Sequence, residues 1–185
     1  GKVVVMMIGR LSNEKRQDVL IDAVSRCRHR DSIQLVLAGQ GPKKAALERQ
    51  GRRLPNPPIF GFFPEERLRE LLSMTDLYVH ASDAEIEAIS CIEAFASGLV
   101  PVIADSPKSA TPQFALDRRS LFAAGDSVDL ASRIDYWLDH PAERRGMELR
   151  YAEAGRRYHL DVCVAQAEEM FRAAIAEAGT AVEKA

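Results

Sequence analysis

Val3-Val4-Val5-Met6-Met7-Ile8-Gly9-Arg10-Leu11-Ser12-Asn13-Glu14-Lys15 opens the chain after two residues, and its two halves read differently. Residues 3–8 are apolar without alternation, the pattern of a strand buried on both faces, as in a parallel sheet covered by helices. Residues 9–15 hold a glycine, two cations and small polar residues, the composition of a loop leaving that strand. In open α/β sheets ligands bind at such loops. Gly1 stands where a natural start carries Met, and no leader-like segment precedes the strand, so the chain reads as an excised domain without a secretory signal.

Outward from this stretch, short apolar runs alternate with amphipathic ones. Val19, Leu20, Ala23, Val24 and Cys27 form a helical stripe, and residues 33–38 a second strand. After the break at Gly39-Gln40-Gly41-Pro42, residues 45–53 predict a helix, Ile59-Phe60 a short strand, and a helix from Pro64 carries Leu68, Leu71 and Leu72. Residues 77–80, 89–97 and 99–104 read as strand, helix and strand, and Ser120-Leu121-Phe122 as a last short strand. A helical segment over about 126–178 closes the chain, with one stripe through Leu130, Ile134, Trp137 and Leu138 and another through Val164, Ala167, Met170, Phe171, Ala174 and Ile175. Trp137 is expected in the core. This alternation requires right-handed crossovers, so residues 1–185 are expected to form a single α/β domain with a doubly wound, Rossmann-like parallel sheet.

The composition narrows the function classes. The chain has 185 residues, 46% hydrophobic and 28% charged, with a net charge of −2, enough for a core of its own and unlike a disordered segment. Its longest clean apolar run, residues 3–8, is far short of the roughly 18 residues of a membrane-spanning helix. Cys27, Cys91 and Cys163 form no CxxC pair, which fits a reducing, cytosolic setting. His29, His80, His140 and His159 share no ligand spacing, so no metal site is expected; His80 alone ends a predicted strand. Lys43, Lys44, Arg49, Arg52 and Arg53 surround Glu48 on one predicted helix, either as a solvated face or as one that meets an anionic membrane surface. No basic stripe is interleaved with aromatics, which argues against a nucleic-acid partner.

Three loops carry candidate chemistry. Arg10 offers a planar fork for two phosphate oxygens and Lys15 a mobile point charge, although the same residues also read as a solvated turn. Gly39-x-Gly41 is half of a dinucleotide fingerprint, with Lys44 where the third glycine belongs; the plainer reading is a tight turn into a helix. After His80, a helix starting near Ile89 would turn unpaired amides toward the crevice. Glu85 then precedes the helix and Glu93 lies one turn inside, as acceptors for ligand hydroxyls or as acids that stabilise a helix start. The second reading weighs more for Glu87.

Taken in order, GRLSNEK (9–15) followed by Asp18 and Leu20-Ile21-Asp22-Ala23, LVLAGQGP (35–42), IFGFFP (59–64), DLYVHAS (76–82) and the E-x7-E frame from Glu85 to Glu93, running into EAFASGLVPVIA, span nearly the whole chain. This series resembles the nucleotide-sugar-binding C-terminal half of GT-B glycosyltransferases, specifically the large retaining family 4. The family commonly has EGFG where this chain reads Glu85-Ile86-Glu87-Ala88, and Gly-Gly and Glu in the loop after the fifth strand, where this chain runs from Ala104 through Thr111 to Asp117 without them. Both variants look like bacterial glucosyltransferases that act on diacylglycerol or a sterol.

The resemblance implies a hexosyltransferase taking glucose from UDP-glucose or a related nucleotide sugar, with retention, to a lipid or glycan acceptor. It implies no cofactor and no metal: Arg10, Lys15 and Glu85 carry the chemistry, the two cations by neutralising the leaving diphosphate. Glu93 would accept from the ribose and Glu85 from the sugar. Gly9 and Gly39 would border the donor, Gly61, Phe62 and Phe63 would flank the base, and the amides of Ala88, Ile89 and Ser90 would face sugar or phosphate. It further implies an N-terminal acceptor-binding domain beyond this chain, and a cytoplasmic enzyme, peripheral at the inner face of the membrane. A non-catalytic nucleotide-binding module and a nucleotide-sugar epimerase remain the alternative readings.

Overall fold

In the computed structural model, residues 1–182 are described, with side chains through residue 177. The elements run β1 (Val3–Ile8), α1 (Gln17–Arg26), β2 (Ile33–Ala38), α2 (Lys44–Gly51), β3 (Ile59–Gly61), α3 (Glu65–Ser73), β4 (Leu77–His80), α4 (Ile89–Ala96), β5 (Pro101–Asp105), β6 (Leu121–Ala123), α5 (Ser127–Asp139), α6 (Pro141–Gly155) and α7 (Leu160–Val182). The strands form one sheet in the order β3-β2-β1-β4-β5-β6, with every pairing parallel. The expected doubly wound parallel sheet is the observed one. β1 pairs along its length with β2, Val3 opposite Ile33 and Ile8 opposite Ala38, while Val5 and Met6 face Leu77 and Tyr78 of β4 on the other side. The winding reverses between β1 and β4, so a crevice opens between the loops that leave these two strands.

The continuous apolar strands are buried as their pattern predicts. Val5, Met6, Leu35, Leu37, Tyr78, Val79, Val102 and Ile103 have no exposed surface. Helix α1 lies against α5: the Cys27 thiol approaches the Ala131 carbonyl at 3.8 Å, and Asp135 accepts from the Arg28 amide at 3.0 Å. Helix α5 starts where Asp126 accepts from the amides of Val128 and Asp129, which satisfies two first-turn donors.

Two expectations need adjustment. The fifth strand starts at Pro101 rather than Leu99, because proline offers no N–H and so suits a strand's first residue. The closing helical segment divides into α5, α6 and α7, whose two predicted stripes behave differently. Leu130, Ile134 and Trp137 of α5 are fully buried, whereas Val164, Met170, Phe171 and Ile175 of α7 are 48–72% exposed. Apolar periodicity specifies a helix face but not a partner for it.

Candidate functional site

The loops leaving β1 and β2 are joined backbone to backbone. Gly9 N–H donates to the Ala38 carbonyl at 2.9 Å, Leu11 N–H to Gln40 at 3.0 Å, and Lys43 N–H to Leu11 at 3.0 Å. The approach is so close that a Cβ on Gly39 would lie 2.0 Å from the Gly9 carbonyl oxygen, and one on Gly41 2.4 Å from that of Leu11. Both positions exclude any side chain unless the backbone moves. Gly41, read from sequence as a turn glycine, is thus a contact glycine.

These loops border a cavity of about 650 Å³ lined by Gly9, Arg10, Gly39, Phe62, Phe63 and Leu68, among others. Arg10 is exposed, and no ion pair engages its guanidinium among the described residues. Its backbone carbonyl is held by the Nε2 of the buried Gln17 at 2.8 Å, which fixes where the arginine leaves the chain. Phe62 is 73% exposed, while Phe63 packs against the core edge. The cavity has one free cation, two aromatic faces and a backbone wall, a combination suited to an anion attached to a flat ring.

The loop after β4 is held by side-chain ion pairs together with backbone hydrogen bonds. Lys15 forms an ion pair with Oε1 of Glu85, and Arg16 Nη1 binds Asp83 Oδ2 at 2.8 Å. Asp83 N–H also reaches back to the Glu14 carbonyl at 2.8 Å, and Ala110 N–H from the loop after β5 donates to the Glu85 carbonyl at 3.0 Å. The Glu85 side chain is only 12% exposed. Burial pushes its carboxyl up, but His80 and Lys15 outweigh that and hold it down to about 2. His80, fully buried at the end of β4, places Nε2 3.3 Å from the same Oε1, although neither ring nitrogen makes an aligned hydrogen bond.

Helix α4 begins at Ile89 as expected, and the residue before it, Ala88, takes left-handed backbone angles (φ 52°, ψ 56°) without a side-chain cap. Glycine accepts that conformation readily and alanine does not. Ser90 hydrogen-bonds Tyr78 at 3.2 Å and the Ile8 carbonyl at 3.4 Å, so its hydroxyl ties α4 to both central strands while its amide stays at the helix start. Glu93 is exposed on α4, and among the described residues no hydrogen bond or ion pair engages its carboxylate, while its carbonyl accepts from Ser97.

The structure therefore brings the candidates together in two groups. Gly9, Arg10, Gly39, Phe62 and Phe63 border the cavity, with Gly61 ending β3 beside them. Lys15 and Glu85 pair with each other, next to the α4 start that carries Ala88, Ile89, Ser90 and Glu93. Arg10 and Lys15 leave the same loop after β1, but only Arg10 lines the cavity; Lys15 packs its stem near Gly9 and reaches Glu85 in the loop after β4. His80, Gln17 and Leu68 were not among the candidates; for His80 the available signal was its place at a strand end facing the crevice. The basic residues around α2 are exposed, with Lys44 paired to Glu48 at 3.9 Å.

A family model described as glycosyl transferases group 1 matches residues 1–157. The catalytic domain of cholesterol-alpha-glucosyltransferase from Helicobacter pylori is 44% identical, with a TM-score of 0.82 over 85% of this chain and 99% of that one. The structure of Anabaena HepE in complex with UDP-glucose agrees in fold, with a TM-score of 0.80 at 24% identity over 93% of this chain and 49% of that one. Among curated proteins, the phosphatidylinositol N-acetylglucosaminyltransferase GPI3 subunit of Saccharomyces cerevisiae is 32% identical over 100 residues, which is 49% of this chain and 22% of that protein. The chain thus spans less than a quarter of that relative's length.

Proposed function

The chain belongs to the glycosyl transferases group 1 family, and from that premise we propose that it is the donor-binding domain of a retaining hexosyltransferase that moves glucose from UDP-glucose to a lipid acceptor. The observation that carries this reading is the cavity lined by the unpaired Arg10 and two phenylalanines, with Lys15, paired to Glu85, lying against its lining residue Gly9. The 44% identity to the Helicobacter pylori domain supports glucose as the sugar and a lipid as the acceptor.

In this reading the base lies against Phe62 and Phe63, and the diphosphate meets Arg10, Lys15 and the amides at the start of α4. Charge developing on the leaving diphosphate is met by the two side chains, so chelation with EDTA leaves UDP affinity unchanged. Glu93, exposed and unpaired, accepts from the ribose, and Glu85 accepts from a sugar hydroxyl. Transfer needs an acceptor-binding domain besides this one, whose closure brings acceptor and donor together and excludes water.

Calorimetric titration with UDP, GDP and UDP-glucose tests the assignment. Arg10→Ala and Lys15→Ala each weaken UDP about tenfold to a hundredfold, the size of a lost charge-assisted contact. Glu93→Gln weakens UDP and UDP-glucose alike, whereas Glu85→Gln weakens only the ligand that carries the sugar. Unchanged UDP affinity in both cation variants, with the fold intact, would remove the phosphate assignment.

A further inference from the structure

Lys15 is committed to Glu85 in this structure, yet its stem lies across Gly9: a Cβ placed on that glycine would be 3.6 Å from Lys15 Cδ. Gly9 lines the cavity, so rotation about the terminal bonds of the lysine carries the ammonium from the carboxylate toward the cavity. Such a swing has a consequence for Glu85. Its side chain is 12% exposed and would keep a negative charge with its cationic partner gone, an arrangement that burial makes costly. The group within reach is the imidazole of His80, at 3.3 Å from the oxygen that Lys15 occupies.

Among the described residues, Lys15 and His80 are the basic side chains paired with Glu85 Oε1, so His80 is the one left to respond when Lys15 departs. β5 sets Ile103 beside it, and β1 contributes only apolar side chains. Tyr78, two residues back on the same strand, stacks on the ring at a centroid distance of 6.3 Å, and its hydroxyl is engaged with Ser90. Burial pushes the Tyr78 phenol and the Cys91 thiol of α4 up, so both stay protonated and uncharged. Lys15 and Glu85, from the loops after β1 and β4, are the charged groups that bear on this corner.

We propose that His80 is a positioning residue that takes over Glu85 when a donor diphosphate draws Lys15 away, and that donor binding is therefore coupled to uptake of a proton by His80. The proton enters from solvent through the partly exposed carboxylate, and the imidazolium N–H then holds Oε1 in the place where the ammonium held it. The sugar-directed carboxylate keeps its position while the lysine changes partners. The coupling to the donor rests on the function proposed above; the exchange of partners on Glu85 does not.

Two measurements separate these parts. In the ligand-free protein, Lys15→Met mimics departure of the ammonium, and the titration midpoint of His80, followed by NMR of the imidazole carbons and assigned with His80→Asn, rises by about one pH unit or more. An unchanged midpoint overturns the exchange. Calorimetry of UDP binding in two buffers of different ionisation enthalpy then shows uptake of about half a proton at a pH between the free and bound midpoints. In His80→Asn the uptake disappears while UDP still binds. UDP binding to the unsubstituted protein without proton uptake overturns the coupling, whereas failure of UDP to bind at all removes the function proposed above and leaves the ligand-free titration to decide the exchange.

Discussion

The two walls of the crevice are built on opposite principles. The wall from β1 and β2 is held by backbone hydrogen bonds between loops that only glycine lets approach, whereas the wall from β4 adds ion pairs to its backbone hydrogen bonds and carries a left-handed alanine where a glycine would be at ease. The first is rigid because its contacts are short and offer no alternative. The second is adjustable, because Lys15, Glu85 and His80 can exchange partners without moving the backbone.

The largest expected effect tests the rigid wall. Gly39→Ala places a methyl 2.0 Å from the Gly9 carbonyl oxygen, and the obstacle is backbone rather than the tip of a flexible side chain. The two loops must separate, with loss of about 3 kcal/mol or more, at the upper end of overpacking costs. The midpoint of urea unfolding reads this directly. A loss below about 1 kcal/mol would mean that this wall yields as easily as the other, and the contrast would fall.

The rigid wall was also the more legible one. The run of residues 3–8, the Arg10 and Lys15 loop, and the glycines at 39 and 41 all announce themselves in composition, because a buried strand and a close approach each restrict which residues can stand there. What sequence could not supply was partnership. Arg10 and Lys15 stand five residues apart in one loop, and nothing in that spacing indicates that the lysine, at the end of a three-residue 3-10 turn at Asn13–Lys15, pairs with a residue 70 positions away. The role of Gly41 was missed for the same reason, since the carbonyl it must avoid belongs to another loop. His80 was visible as a strand end, but not the carboxylate beside it. The apolar stripe of α7 was legible as a helix face; its exposure was not.

A smaller effect probes the adjustable wall through pH. Glu85 is held down to about 2 in the folded protein, while an unfolded chain leaves a glutamate near 4.3. A carboxyl depressed on folding adds stability that is fully present above the unfolded value and is lost as pH falls toward the folded one. Unfolding midpoints measured at pH 6 and pH 3 should therefore fall further in the unsubstituted protein than in Glu85→Gln. Asp117 and other depressed carboxyls contribute to both proteins, so the difference between the two drops isolates Glu85. Equal drops would show that the Glu85 carboxyl is not depressed on folding.

The smallest effect reverses the first substitution on the opposite wall. Ala88→Gly relieves left-handed backbone at φ 52°, worth about 1 kcal/mol after glycine's greater freedom in the unfolded chain is counted. Against that, Ala88 is 8% exposed, and removing its buried methyl costs about 0.8 kcal/mol. The two nearly cancel, so stability should change by less than about 0.5 kcal/mol in either direction. The same exchange of one methyl thus matters several-fold more at Gly39 than at Ala88, because in one place the methyl meets a carbonyl and in the other it fills space that the fold provides. A gain above about 1 kcal/mol in Ala88→Gly would show that strain dominates and the methyl is poorly packed. A loss of that size would show that packing around the methyl, rather than backbone preference, holds the start of α4, and the β4 wall would then owe its shape to the same close contact that defines the other.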